Sequence, residues 1–419
     1  MTSIRSLKVL LPTIGSAGDV HPVLALAIAL QSRGHRATVL TNPLFQELIE
    51  GHGVGFLPVG TVEDARAAIA DPDLWHARKG FEVVAHRAIL PAMTEMYRHI
   101  ERSADDRTVV AASGISFGAR IAQERLGVPT ATVHLQPSII RSLVDQGMAG
   151  NIRISASQPM WFKRAFFRFA DWFLMDRALK RPVNEFRATI GLPPVDRLMY
   201  RWIHSPQLVL GFFPDWFARP QADWPANTHL VGFPLWDGGN NDLPSGVREF
   251  LAAGDPPVVF TPGSAGSTMH RFFQESVKAA RVLGLRSMLV TNYPEQVPTD
   301  LPPGVKTFGY LPFGDVLPHV AMLVYHGGIG TLAQTVKAGI PHLVVPGGHD
   351  QFDNGWRVEQ LGLGRSIPQT RYRADRVLTA IGAMLGDGEL RARCRDYMSR
   401  IDSDAAVTRA CELLEGLLP

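Results

Sequence analysis

A chain of 419 residues exceeds one ordinary domain and fits two. Its 46% apolar and 19% charged residues provide for large cores and exclude a disordered polymer. With 42 Lys and Arg against 39 Asp and Glu, the net charge is only +3, which argues against nucleic acid as a partner.

In chain order, Lys8 to Thr13 resembles the start of a signal peptide, but Pro12 and the Gly15-Ser16 turn break its apolar run at once, and it reads better as a first strand. Pro22 to Arg33 reads as a helix, Arg36 to Thr41 as a strand, Pro43 to His52 as a helix and Gly55 to Pro58 as a short strand. Thr108 to Ala112 and Thr130 to His134 are strands around a helix at Ser116 to Leu126. This βαβ rhythm predicts a parallel sheet covered by helices. It restarts with strands at Pro256 to Thr261, Arg286 to Thr291, Lys306 to Tyr310, Ala321 to Tyr325 and His342 to Pro346, and helices at His270 to Leu283 and Thr331 to Ala338.

The expected organisation is therefore a first domain over 1–231, a turn-rich linker over 232–250, a second domain over 251–402 and a helix at 403–419 that packs back across the junction. Two doubly wound domains facing across a cleft place ligands at the C-terminal ends of their strands. Cys394 and Cys411 have no metal-ligand spacing and read as buried structural residues, which suits a reducing, cytoplasmic compartment. The longest clean apolar run, Val23 to Leu30, is far short of the ~20 residues of a bilayer span.

The most informative segment runs from Ala321 to Ala333. A buried strand ends at His326, and Gly327, Gly328 and Gly330 turn the backbone into a helix near Thr331. Such a turn offers unpaired N–H groups and the positive end of a helix dipole, a natural phosphate site to which His326 and the Thr331 hydroxyl can add donors. Tight packing alone is the plainer explanation of such glycines. Gly328, Gly330 and Ala333 also fit a dinucleotide G-x-G-x-x-A pattern, but the next strand ends in Val345-Pro346 without the ribose-binding acid, which counts against a nicotinamide-dependent oxidoreductase. Asp350 and Gln351, in the loop after that strand, carry the acceptors and donors that hold sugar hydroxyls.

The stretch His326 to Asn354, H-G-G-I-G-T followed by D-Q-x-D-N, resembles the donor signature of the GT-B, family 1 nucleotide-sugar glycosyltransferases. Gly15-Ser16-Ala17-Gly18-Asp19-Val20-His21-Pro22 resembles the first loop of the bacterial members. Trp202-x-His204-Ser205-Pro206-Gln207, Phe213-Pro214-x-Trp216-Phe217-Ala218 and Gly232-Phe233-Pro234-Leu235 are similar to the rhamnosyltransferase subgroup that makes rhamnolipids. The resemblance implies an α/β GT-B fold, with two Rossmann-like domains of parallel sheet facing across a cleft.

It further implies an inverting transfer of a hexose, from dTDP-L-rhamnose or UDP-glucose, to a hydroxyl of an apolar acceptor. A 3-hydroxyalkanoyl lipid, giving a glycolipid, is the first expectation; a polyketide, sterol or other natural-product aglycone is the alternative. Asp19 takes the position of the catalytic base, with His21 as an auxiliary; in members that use His an acid orients it from a later loop, where this chain has Ser113. Asp19 as a mere helix cap before Pro22 is the competing reading. Gly18, Ser264, His326, Gly327, Gly328, Gly330 and Thr331 would meet the diphosphate. Tyr310 would stack on the base while the Leu311 backbone reads its edge, and Asp350, Gln351 and Asn354 would hold the sugar. A non-catalytic nucleotide-sugar sensor would need no acid at position 19.

No cofactor is expected beyond the nucleotide-sugar co-substrate, and no metal: Asp71-Pro72-Asp73 and Asp402-Ser403-Asp404 have the bare spacing of a cation site but read as surface turns. Met160 to Leu174 is dense in aromatics and cations, and helical spacing gathers Phe162, Phe166, Phe169 and Phe173 on one side. It reads as a peripheral contact with the inner membrane face, as an acyl-chain entry, or as an ordinary helix with a buried aromatic side and basic residues outside. Ser138 to Ser157 lacks periodicity and is expected to form a mobile wall over the acceptor.

Overall fold

A computed structural model describes residues 6–76, 79–236, 243–263 and 269–418. Nine strands belong to the first half: β1 (Lys8–Pro12), β2 (Arg36–Thr41), β3 (Gly55–Pro58), β4 (Thr108–Ser113), β5 (Thr130–His134), β6 (Gly147–Ala149), β7 (Ile152–Ile154), β8 (Leu208–Gly211) and β9 (Thr228–Leu230). Six belong to the second: β10 (Val258–Thr261), β11 (Ser287–Val290), β12 (Val305–Phe308), β13 (Met322–Tyr325), β14 (His342–Val344) and β15 (Gly364–Ser366). The first sheet has the order β3-β2-β1-β4-β5-β8-β9 and the second β12-β11-β10-β13-β14-β15, with every pairing parallel. β13 is buried along its whole length and β4 all but its last residue, because helices cover both sheet faces.

In each sheet the chain reverses direction of travel between its first strand and the neighbour on the other side, β1 with β4 and β10 with β13. These are the topological switch points, where crossover helices leave on opposite faces and a crevice opens. The loops after β1 and β13 therefore line the cleft, with Pro262 and Gly263 after β10 beside His326. One apolar core runs from Val9 and Leu24 through Phe217 and Phe233 to Val259 and Leu323, so the two halves share packing across the junction. A second core, with Leu40, Met96, Phe117 and Val183, lies on the other face of the first sheet.

The Ser403–Glu415 helix packs on the first helix, Ala17–Ser32. Arg33 donates two hydrogen bonds to Glu415, at 2.7 and 2.8 Å, and His35 Nε2 lies 2.8 Å from the same carboxylate. Cys394 and Cys411 are free and buried. Asp402 accepts from the Ala405 N–H as the cap of the last helix, and Asp71 accepts from the Asp73 N–H in its own turn. Of the stretch read as linker, residues 237–242 lie outside the described residues, and its end is the Ser245–Ala252 helix, which buries Val247 and Phe250.

Several expected elements shift. The first helix starts at Ala17, not Pro22, because Ser16 stands in extended backbone at its N-terminus and pairs with Asp19; Pro22 then lies inside the helix. Pro43 to His52 is a 3₁₀ turn, Pro43–Phe45, followed by a short helix, Gln46–Glu50. The helix after the glycine turn starts at Ile329, two residues early. Ser138 to Ser157 contains the antiparallel β6–β7 hairpin, held against the second domain rather than standing loose.

The aromatic segment is a helix, Met160–Ala170, continued by a single π turn, Asp171–Met175. Its burial inverts the plain expectation of an inward aromatic side. Lys163 and Asp171 are buried, Lys163 donating to Val144 O at 2.8 Å and Asp171 taking two bonds from Arg141, while Trp161, Phe169, Trp172 and Phe173 face solvent.

Candidate active site

Asp19 is the third residue of the first helix, in the loop-helix junction that follows β1 at the switch point. Its Oδ2 accepts the Ser16 N–H at 2.8 Å and the Ser16 hydroxyl at 3.3 Å. Asp19 thus serves the helix start, as the plainer reading holds, and also faces the cleft: both bonds fall on Oδ2 and leave Oδ1 for another donor. Burial pushes its pKa up to about 6; the Ser16 N–H pulls the other way and the charge of Asp350, from the opposite domain, adds to the rise. The Ser113 hydroxyl lies 2.8 Å from the Ser116 hydroxyl. The His21 ring packs edge-on to Trp236 at 4.8 Å, and burial pulls its pKa down to about 4.

The opposite wall is the turn after β13. Gly327 has φ +94°, and a Cβ there would lie 2.6 Å from Val344, so both its conformation and its space require glycine. Gly328 precedes the Ile329–Lys337 helix, whose first N–H groups, from Ile329 to Thr331, have no partner within the helix. The His326 ring lies between Gly263, where a Cβ would approach it to 2.6 Å, and Gly328, where a Cβ would overlap its Nε2. Burial pulls His326 down to about 4, and its Nδ1 is buried without a hydrogen-bond partner. A neutral imidazole in this place can donate one N–H to a phosphate oxygen.

The two walls meet. A Cβ on Gly330 would come within 3.3 Å of Gly18 Cα, so two helix N-termini converge on one point with Asp19 beside it. Their dipoles both favour an anion there. Asp350 lies at the mouth of the Gln351–Gln360 helix; Asn354 donates to its carboxylate at 2.7 Å and to Gly327 O at 2.9 Å. Burial pushes Asp350 up to about 6. Asn354 is fully buried and Gln351 nearly so, with the Gln351 carbonyl oxygen held by the Gly347 and Gly348 N–H groups at 2.9 and 3.2 Å. Both therefore brace the glycine turn and the loop, and Gln351 also lines the pocket beside His326 and Trp75; Asp350 is the one carboxylate of the three expected sugar residues. Thr331 is half-buried at the helix mouth, Tyr310 is 60% exposed beside the buried Leu311, and Ser264 lies outside the described residues.

Two contributors were not foreseen. Trp75 sits edge-on to His326 and His349, at 6.3 and 5.4 Å, and His349, held at φ +52°, has Nε2 2.8 Å from Leu74 O. Leu74 and Trp75 of the first domain thereby cover His326 and His349 on the opposite wall. Asp353 and Arg357 form a latch: Asp353 accepts the Met148 N–H of the β6–β7 hairpin at 2.8 Å and the Arg357 Nε–H at 2.7 Å, and Arg357 donates to Phe217 O at 3.0 Å. The second acid of D-Q-x-D-N was the one available signal for it.

A parallel two-sheet molecule with facing switch points and an anion site across from a buried carboxylate is the architecture of a GT-B protein. Residues 9–143 match the glycosyltransferase family 28 N-terminal domain and residues 288–414 the C-terminal domain of erythromycin biosynthesis protein CIII-like proteins. With one match on each sheet, both halves of the chain are similar to glycosyltransferase domains, and the fold is GT-B. It is 26% identical over 430 residues to O-mycaminosyltylonolide 6-deoxyallosyltransferase of Streptomyces fradiae, spanning 98% of this chain and 97% of that one. Among solved structures, the kitacinnamycin glycosyltransferase superposes with a TM-score of 0.75 at 20% identity, over 99% of this chain and 100% of that one. Spinosyn rhamnosyltransferase SpnG complexed with thymidine diphosphate gives 0.67 at 20% identity, over 97% and 100%. The resemblance to the rhamnolipid-forming subgroup thus broadens to enzymes named for natural products.

Proposed function

We propose that this chain is an inverting, metal-independent hexosyltransferase that moves a sugar from dTDP-L-rhamnose or UDP-glucose to a hydroxyl of an apolar natural-product aglycone of the polyketide or sterol kind. The observation that carries it is the meeting of Gly18-Asp19 with the Gly330 helix start. Asp19 Oδ1 takes the proton of the acceptor hydroxyl as its oxygen forms a bond to the anomeric carbon. The bond from that carbon to the diphosphate breaks on the far side, and its electron pair leaves with the diphosphate, inverting the centre. The N–H groups at Ile329 to Thr331, with His326, stabilise the charge that develops there. Asp350 accepts sugar hydroxyls, and Tyr310 stacks on the pyrimidine.

The relative acting on O-mycaminosyltylonolide and the thymidine diphosphate of the spinosyn enzyme support the aglycone and the nucleotide in this reading. A 3-hydroxyalkanoyl lipid is the second reading, favoured by the solvent-facing aromatic helix. The test is thermal-shift screening of dTDP-, UDP- and GDP-sugars, followed by mass spectrometry of products formed with macrolide, sterol and 3-hydroxyacyl acceptors. A pyrimidine nucleotide-sugar should raise the melting temperature and be consumed with the aglycones. Stabilisation by NADH and by no sugar nucleotide would overturn the reading.

A further inference from the structure

The Met160–Met175 stretch buries Phe167 as an ordinary surface helix would, but it also buries charges and leaves a row of aromatic rings outside. Here Lys163 and Asp171 point inward to fixed partners, while Trp161 is 72% exposed, Trp172 68%, Phe169 59% and Phe173 47%. Trp161 and Trp172 are eleven residues apart, about three helical turns, so the aromatic face is continuous. Phe169 and Phe173 stack on each other at 5.5 Å without gaining cover. Exposed apolar patches of this size mark contact sites.

We infer that this face docks the protein on the surface of a bilayer containing anionic phospholipid. The charges around the aromatics select that occupant. Arg164, Arg168 and Arg177 are exposed and have no carboxylate partner among the described residues, whereas the neighbouring Lys180 and Arg181 are paired with Asp196 and Glu185. A ridge of Trp and Phe flanked by unpaired arginines matches the headgroup region, where aromatic rings lie at the acyl boundary and guanidinium groups reach phosphates. Both tryptophans are more than two-thirds exposed, so their rings are free to enter an interface. No helix among the described residues is long and apolar enough to cross a membrane, so the contact is peripheral.

The face lies close to the cleft. The Asp171–Met175 turn packs on the Gly80–Val84 helix, and Gly80 itself lies against His349. Docking would hold the acceptor side of the cleft near the membrane, where apolar alcohols concentrate. The binding itself is independent of the transfer reaction, so the proposed function can fail while the docking stands.

The test is flotation of the full chain with vesicles of phosphatidylcholine alone or mixed with phosphatidylglycerol, at low and high salt. The protein should float with the mixed vesicles and much less with phosphatidylcholine. The Trp161→Ser/Phe169→Ser/Trp172→Ser variant should lose at least tenfold in partitioning, and Arg164→Gln/Arg168→Gln about fivefold for each charge, with the loss shrinking at high salt. All five positions are solvent-facing, so melting temperatures should stay close to the parent's. Absence of the parent from both vesicle layers would overturn the inference, as would equal flotation of the aromatic variant. A dimer by light scattering that the aromatic variant abolishes, without vesicle binding, would assign the face to a second copy instead.

Discussion

Replacing Asp19 with Asn tests the base and the strain on it in one variant. The amide keeps an oxygen to accept the Ser16 N–H, so the helix start survives while the proton acceptor is lost. Turnover should fall by about a hundred- to ten-thousandfold. The stability effect has the opposite sign. Burial and the Asp350 charge raise the Asp19 pKa from 3.8 to about 6, a shift of about two units or up to ~3 kcal/mol, less whatever solvent reaches the half-buried residue. Below pH 3.8 the carboxyl is protonated whether folded or not, and the shift has no effect on stability. Between 3.8 and 6 the unfolded chain ionises first and the folded state loses ground; above 6 the full penalty persists. Asp19→Asn should therefore melt with the parent near pH 3.5 and a few degrees above it at pH 7.5. The parent's kcat/KM should climb about tenfold per pH unit up to about 6 and then level. Melting curves across pH and initial rates with the nucleotide-sugar found by screening measure both. Undiminished turnover, or a melting difference that does not change with pH, would refute the assignment.

Asp350→Asn removes the negative neighbour, so the acid limb of the parent's pH profile should move below 6 while the KM for donor rises; an unmoved limb would break the link between the two carboxylates. Gly330→Val, whose Cβ would press on Gly18 Cα, should leave the melting temperature nearly unchanged and cut turnover at least tenfold by wedging the helix starts apart, as rate and melting measurements on one sample would show. Arg357→Ala strands the buried Asp353 carboxylate and frees the hairpin; urea unfolding should show a loss of about 3 kcal/mol, and the KM for acceptor should rise more than that for donor. Activity should persist in EDTA, since helix N-termini supply the charge stabilisation; complete loss on chelation, restored by magnesium, would contradict that.

Asp19, His326 and the glycine turn were legible as strand-end features, and the fold puts them in loops at the switch points, because such loops are local features with local residue demands. Gly327 illustrates this: its positive φ and lack of room are set by the next strand, yet only glycine satisfies them, so the need is visible as a letter. Asn354 and Gln351 were legible as polar residues near a phosphate, but not as braces, since their partners Gly327 O and the Gly347 and Gly348 N–H groups are fixed by how helix and loop fold back together. The sequence also left the aromatic segment open between an inward and an outward face. Its period supports either, and only packing revealed that Lys163 finds Val144 O and Asp171 finds Arg141, which turns the rings outward.

Length pointed from the start to two domains, and the βαβ rhythm, apolar strands and glycine turn followed from residue chemistry alone. What tertiary structure decided is everything that crosses the cleft. Gly18 meeting Gly330, Trp75 covering His326, Asp350 raising Asp19 and Asp353 gripping the hairpin all join residues more than two hundred positions apart. Such contacts leave no periodicity in the chain, because they depend on the relative placement of two sheets and not on the conformation of either segment.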